Sequence, residues 1–278
     1  MTGCRESIRE NLTNSLRGSY GTGSRLGPSV ILMEGSNWAG NAVAANQRAF
    51  SDYAPGRRQQ FWELVVFLVL IAPSMGLSLF VVRQGGLSFP LTAVATILRD
   101  VGLVSLIAFF LWRNGEPRGR IGWTFRNAQR DVLLGILLFL PMFYGAAALE
   151  QVLRASGFTT PATPTPRFLT AGSPAQFLLA SVLVVVVAIA EETIFSGYLI
   201  LRLTALTKSK LAAAILSSII FAVGHGYEGT AGLVTVGFMG LLFAFVYLSR
   251  KSLVAPMTMH FLQDFIAIVL LPLLRHHS

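Results

Sequence analysis

From residue 60 onward the chain repeats one pattern: a long apolar stretch, a short polar break, another apolar stretch. The stretches fall at 60–82, 87–112, 131–153, 174–201, 210–226, 230–249 and 252–273, each near the ~20 residues that a helix needs to cross a bilayer. The pattern predicts an all-α, polytopic transmembrane helical bundle of about seven spans. The break Gly226-Tyr-Glu-Gly-Thr230 is short and weakly polar, so the fifth and sixth spans have the softest boundary. Residues 156–173 carry Pro161, Pro164 and Pro166 and predict an extended loop. Residues 1–58 are polar, rich in Gly, Ser and Asn and without periodicity. They predict a disordered cytoplasmic arm, followed by one transmembrane domain over 59–278.

Composition agrees with the pattern. Hydrophobic residues make up 53% of the chain and charged residues 13%, with a mean hydropathy of +0.62. A soluble domain of this length carries nearly twice that share of charge. The net charge of +9 is therefore read as membrane topology and not as nucleic-acid binding. With the N-terminus cytoplasmic, the inner loops hold Arg48, Arg57, Arg58, Arg113, Arg118, Arg120, Arg126, Arg130, Arg202, Lys208, Lys210, Arg250 and Lys251. The outer side holds Arg83, Arg154, Arg167 and Arg275. Cys4 is the single cysteine, so no intrachain disulfide can form.

The polar residues inside the apolar stretches raise the functional question. Glu191 and Glu192 follow the run Phe177 to Ala190, and apolar sequence resumes after them. Later stretches add His225, then His260 and Asp264. A carboxylate in hydrocarbon costs several kcal/mol unless it is paired, protonated or hydrated. At 1.5 Å per residue, Glu191 lies ~16 Å from Arg202, His260 ~14 Å from Lys251, and His225 ~22 Å from Lys210. The groups therefore share one slab near the membrane midplane.

His260 and Asp264 are i, i+4 neighbours on one helix face, as are Phe221 and His225. Glu191 and Glu192 point ~100° apart, so one faces the cavity and the other makes a structural contact. Such a set can cleave an amide: Glu191 takes a proton from water, helped by His225, while His260 with Asp264 stabilises the oxyanion. Glu191, His225 and His260 are also a ligand set for zinc with an open water position. The residues alone leave these two chemistries open. No cofactor is required by the first.

Glu191-Glu192-Thr-Ile-Phe-Ser196-Gly197-Tyr198-Leu199 resembles the first motif, EExxxR, of the CAAX-protease and bacteriocin-processing (Abi) family of intramembrane proteases. Phe221-Ala-Val-Gly-His225 resembles its FxxxH motif, and His260-Phe-Leu-Gln-Asp264 its HxxxN motif. The likeness covers about 180–270. It implies an endopeptidase embedded in a lipid bilayer, of glutamate-dependent type and historically described as a metalloprotease. The implied substrate is a membrane-associated protein or peptide, in eukaryotic relatives a prenylated one. Compactness and the resemblance make a bacterial inner membrane the expected location, with the eukaryotic endoplasmic reticulum as the alternative.

Two positions depart from the family pattern. Ser196 stands where the family has arginine, which strips Glu192 of its expected partner. Arg99, stranded in the second span, is the replacement expected for it. Asp264 stands where asparagine is common, and an ionised aspartate only accepts hydrogen bonds. Two other function classes compete with the protease. A proton-coupled transporter also uses midplane Glu, His and Asp, but no inverted repeat is visible in the sequence. A non-catalytic scaffold or immunity protein would explain Ser196 as the mark of lost activity.

Overall fold

The computed structural model describes residues 55–83, 88–160 and 170–277, all within one unit, Tyr53–Ser278. The expected arm at 1–58 lies almost wholly outside the described residues, as does most of the proline-containing loop. Among the described residues there are helices and no strands.

Helix α1 runs Arg57–Arg83, α2 Phe89–Arg113 and α3 Ala128–Ala155. Helix α4, Pro174–Glu191, continues without a break through a π-helical segment, Glu192–Leu199, into α5, Ile200–Thr207. Helix α6 is Lys210–Gly224 and α7 Gly229–Arg250. Helix α8, Val254–Asp264, passes through a second π segment, Phe265–Leu270, into α9, Leu271–His277. The start of α4 is written locally: Pro174 occupies the first turn, Ser173 Oγ accepts from Gln176 N, and Gln176 Oε1 accepts from Gly172 N. This is a near-reciprocal capping box.

Six helices are long and apolar enough to cross a membrane, and the protein is an integral, multi-pass membrane protein. The expected fifth span is the exception. Helix α6 has 15 residues, ~22 Å at helical rise, short of the ~30 Å hydrocarbon core. It stops because Gly224 and Gly226 flank His225, and the chain turns through a 3-10 segment, Gly226–Glu228, before α7. The exposed peptide groups of that turn find protein partners: Glu228 N donates to His225 O at 2.9 Å and Ala231 N to Thr159 O at 3.0 Å. Such pairing is what allows irregular backbone at membrane depth.

Packing is pairwise: α8 lies on α3, α6 on α7 and α2 on α4. The glycines of α7 let α6 approach. A Cβ on Gly240 would meet Phe221 Cδ1 at 2.8 Å, and one on Gly237 would meet Ala222 Cβ at 3.3 Å. The outward faces, with Leu98, Leu137 and Leu178, are apolar and exposed, as a lipid-facing surface must be.

At the end of the bundle where α1 begins and α2 ends, the interior is ionic. Arg202, read from sequence as an interfacial cation, is fully buried. Its Nη1 and Nη2 donate to Glu116 Oε1 and Oε2 at 3.0 and 2.7 Å, and Nη2 lies 2.9 Å from Glu63 Oε2. Arg113 and Arg120 complete the network on the same two glutamates. The correction has a simple cause: α5 carries Arg202 inward against the start of α1, where Glu63 is also buried.

Candidate active site

Helix α4 delivers Glu191 and Glu192 to the bundle interior because its sequence has no helix breaker before them. Both are buried, Glu192 to 2% exposure. The helix changes character at this point. A π turn frees carbonyls from the usual ladder, and Ser217 Oγ of α6 donates to Phe195 O at 2.7 Å. Thr193 Oγ1 donates to Ile189 O and receives the Trp123 indole N–H at 3.1 Å. A Cβ on Gly197 would meet Ile121 O at 2.8 Å, so this segment needs glycine there to seat against the 3-10 turn Arg118–Ile121. The second π segment begins directly after Asp264. Single π turns recur at functional sites, where the extra residue re-aims side chains.

His260 is the hub. Its Nδ1 lies 2.9 Å from Glu192 Oε1. Ser196 Oγ donates to the other oxygen, Glu192 Oε2, at 2.5 Å. A carboxylate only accepts, so His260 Nδ1 carries the proton in this pair. The opposite nitrogen, Nε2, lies 3.5 Å from Asp264 Oδ2 and 3.8 Å from Glu191 Oε2. The imidazole is flanked by Phe243, stacked at 5.3 Å, and by Phe221, edge-on at 6.0 Å. Ring position is thereby set, with Nδ1–H on Glu192 and Nε2 toward Glu191 and Asp264.

Glu191 is the other carboxylate of the pair and points elsewhere, as the ~100° offset requires. Its Oε1 lies 3.7 Å from Arg99 Nη2. Its Oε2 is buried without a hydrogen-bond partner. Arg99 also pairs with its neighbour Asp100, with Nη2 at 2.7 Å and Nε at 2.8 Å from Oδ1. The expected Arg99–Glu192 pair is therefore not formed. Glu192 is satisfied by Ser196 and His260, and Arg99 faces Glu191 instead.

His225 sits at the C-terminal end of α6. Its Nδ1 is 3.0 Å from Phe221 O, a pure acceptor, so Nδ1 donates, and in the neutral ring Nε2 carries the lone pair. Among the described residues no hydrogen bond or ion pair joins His225 to Glu191. Phe221 is in ring contact with both histidines, 4.7 Å from His225 and 6.0 Å from His260. His225 thus borders the cluster one ring away from its hub. The sequence did not single out Tyr227, whose ring is 5.9 Å from His225 and which lies within electrostatic reach of Glu228, Glu191 and Asp264. Its place beside a motif histidine was the available signal.

The fit to a metal follows from the same distances. Among the described residues no group of three or more His, Cys, Asp and Glu gathers as a metal-holding set. Glu191, His225 and His260 do not gather as such a set: His260 Nε2 faces Glu191 Oε2 at 3.8 Å, while His225 is turned to Phe221 O.

With this geometry in place, the comparison with protein families is informative. A family model described as type II CAAX prenyl endopeptidase Rce1-like matches residues 173–266. That stretch holds all three motifs and agrees with the resemblance to a family of CAAX intramembrane proteases. It supports a CAAX-protease-like enzyme acting on peptide at the bilayer. Comparisons with curated proteins and with solved structures returned no match.

Proposed function

We propose that this chain is an intramembrane endopeptidase that hydrolyses a peptide bond of a membrane-associated protein or peptide with a water activated by Glu191. The observation that carries the reading is the gap between Glu191 Oε2 and His260 Nε2. At 3.8 Å it is too wide for a direct hydrogen bond and wide enough for one water bonded to both. Glu191 Oε2 has no other partner, which is the condition for an acceptor awaiting a proton.

In this reading Glu191 takes the proton as the water oxygen adds to the scissile carbonyl. His225 Nε2, left free by the Nδ1 bond to Phe221, is the second acceptor at the edge of the site. His260 acts as the imidazolium: Nδ1–H stays on Glu192, and Nε2–H, on the side of Glu191 and Asp264, donates to the oxyanion as it forms. Collapse of the tetrahedral intermediate breaks the C–N bond, and Glu191 returns its proton to the leaving nitrogen. Glu192 touches no substrate. It anchors His260 through Nδ1–H. Asp264 instead faces Nε2, beside the reacting atoms.

The family description supports a prenylated CAAX terminus as substrate, the resemblance supports the bacterial inner membrane as location, and the Lys/Arg bias of the loops supports a cytoplasmic N-terminus. The decisive assay uses purified protein in proteoliposomes and an internally quenched peptide ending in a farnesylated CAAX sequence. The wild-type chain is compared with Glu191→Gln, each with and without a strong chelator. Cleavage that survives the chelator and falls ~10³-fold or more in Glu191→Gln is the expected result. Cleavage abolished by the chelator would require a metal-bound water and a rearranged site. Cleavage retained in Glu191→Gln would remove the assignment of the base.

A further inference from the structure

The two glutamates are compensated differently, and the difference has a mechanical consequence. Glu192 accepts from Ser196 Oγ and His260 Nδ1, one bond on each oxygen. Glu191 has no such pair of donors. The terminal torsion of a glutamate is broad and two-fold, so a carboxylate with one free oxygen needs a hold on the other to keep its direction. The cation nearest that other oxygen, Oε1, is Arg99, from the neighbouring helix α2.

Arg99 is itself anchored. Both Nε and Nη2 converge on Asp100 Oδ1, and Asp100 is 1% exposed. An aspartate so deep in a membrane helix is costly without a partner, and its partner is the guanidinium next to it. The pair turns a long, flexible side chain into a fixed cation, one third exposed, beside Glu191. Helices α2 and α4 are closely packed along this contact.

We infer that Arg99, braced by Asp100, is a positioning residue that holds Glu191 Oε1 from α2 and so keeps Oε2 aimed at the water position in front of His260. Ser196 performs the separate task of holding Glu192. The two glutamates are thus held separately, Glu191 by a guanidinium on α2 and Glu192 by the Ser196 hydroxyl together with His260. The inference rests on the proposed role of Glu191 as base, and the following tests separate the two.

Replacing Arg99 by Gln lowers kcat about 10- to 100-fold, the cost of a misaimed reacting group, and leaves KM within about two-fold. Arg99→Lys, which keeps a charge without the fork, recovers part of that loss. The double variant Arg99→Gln/Ser196→Arg restores a guanidinium to the pair but on the Glu192 side, beside the small cavity lined by Glu192, Ser196, Ser217 and Phe243. It does not recover kcat. Full activity of Arg99→Gln while Glu191→Gln is inactive would overturn the inference and leave the base assignment standing. So would rescue by Ser196→Arg. Activity of Glu191→Gln would instead bring down the base assignment, and the inference with it. A readout that needs no substrate is thermal unfolding in detergent across the cycle of Arg99→Gln and Glu191→Gln. Non-additive shifts in Tm are expected, and strict additivity would show that the two side chains do not interact.

Discussion

Ser196 shows how a single residue carries more than its motif letter. Against the family pattern it looks like a loss, because a serine cannot neutralise a carboxylate. In the folded chain its hydroxyl lies one turn from Glu192 and donates to Oε2, while His260 Nδ1 holds Oε1. The buried carboxylate ends with a donor on each oxygen. Replacing Ser196 by Ala leaves one oxygen of Glu192 unbonded at 2% exposure. Leaving a buried acceptor unmade costs about 1–3 kcal/mol, so Ser196→Ala is expected to lower Tm measurably in detergent. It should also slow cleavage several-fold through looser placement of His260, with Ser196→Thr restoring both. An unchanged Tm would mean that the Ser196 hydroxyl contributes nothing to Glu192.

Among the elements, the two π segments matter most. Each begins where a site residue ends: Glu192–Leu199 after Glu191, and Phe265–Leu270 after Asp264. Hydrophobic periodicity reads α and π turns alike over a few residues, so neither was visible in the sequence. The first is held open by a tertiary bond from Ser217 Oγ to Phe195 O. With Ser217→Ala that carbonyl loses its donor at a buried position. The expected cost is about 1–2 kcal/mol, seen as a lower Tm together with faster amide exchange across 192–199 than in wild type. Exchange unchanged there would show that the segment holds its shape without α6. The shortness of α6 belongs to the same scale. Its 15 residues end at His225 inside the bundle, which places a histidine on a turn rather than on a helix face.

Across the whole molecule, the end of the bundle where α1 begins is locked by charge. Arg202, Glu63 and Glu116 are all buried and tie α5 to α1 and to the segment after α2. Removing one partner of a buried ion pair strands the others, at about 3–5 kcal/mol. Arg202→Ala is therefore expected to be the most destabilising of these variants by thermal unfolding. Arg202→Ala combined with Glu63→Gln and Glu116→Gln should recover a good part of the loss. A triple variant no more stable than Arg202→Ala would show that packing, not stranded charge, sets the cost.

The sequence alone determined the fold class and named the candidates for a site. Apolar stretches of bilayer length fix helical spans, because no other open structure satisfies its backbone in hydrocarbon. Ionisable residues at matching depths single out Glu191, Glu192, His225, His260 and Asp264 as candidates, because such groups are too costly to scatter at random. What the sequence could not supply was the pairing. Which glutamate meets Arg99 depends on the rotation of α2 against α4 and on a π turn set by long-range contacts. Which carboxylate orients His260 depends on α8 crossing α4, where Glu192, 68 positions away in the chain, takes the nitrogen that its own helix neighbour Asp264 does not. These choices turn on offsets of an ångström or two between packed helices, and only the assembled bundle sets those.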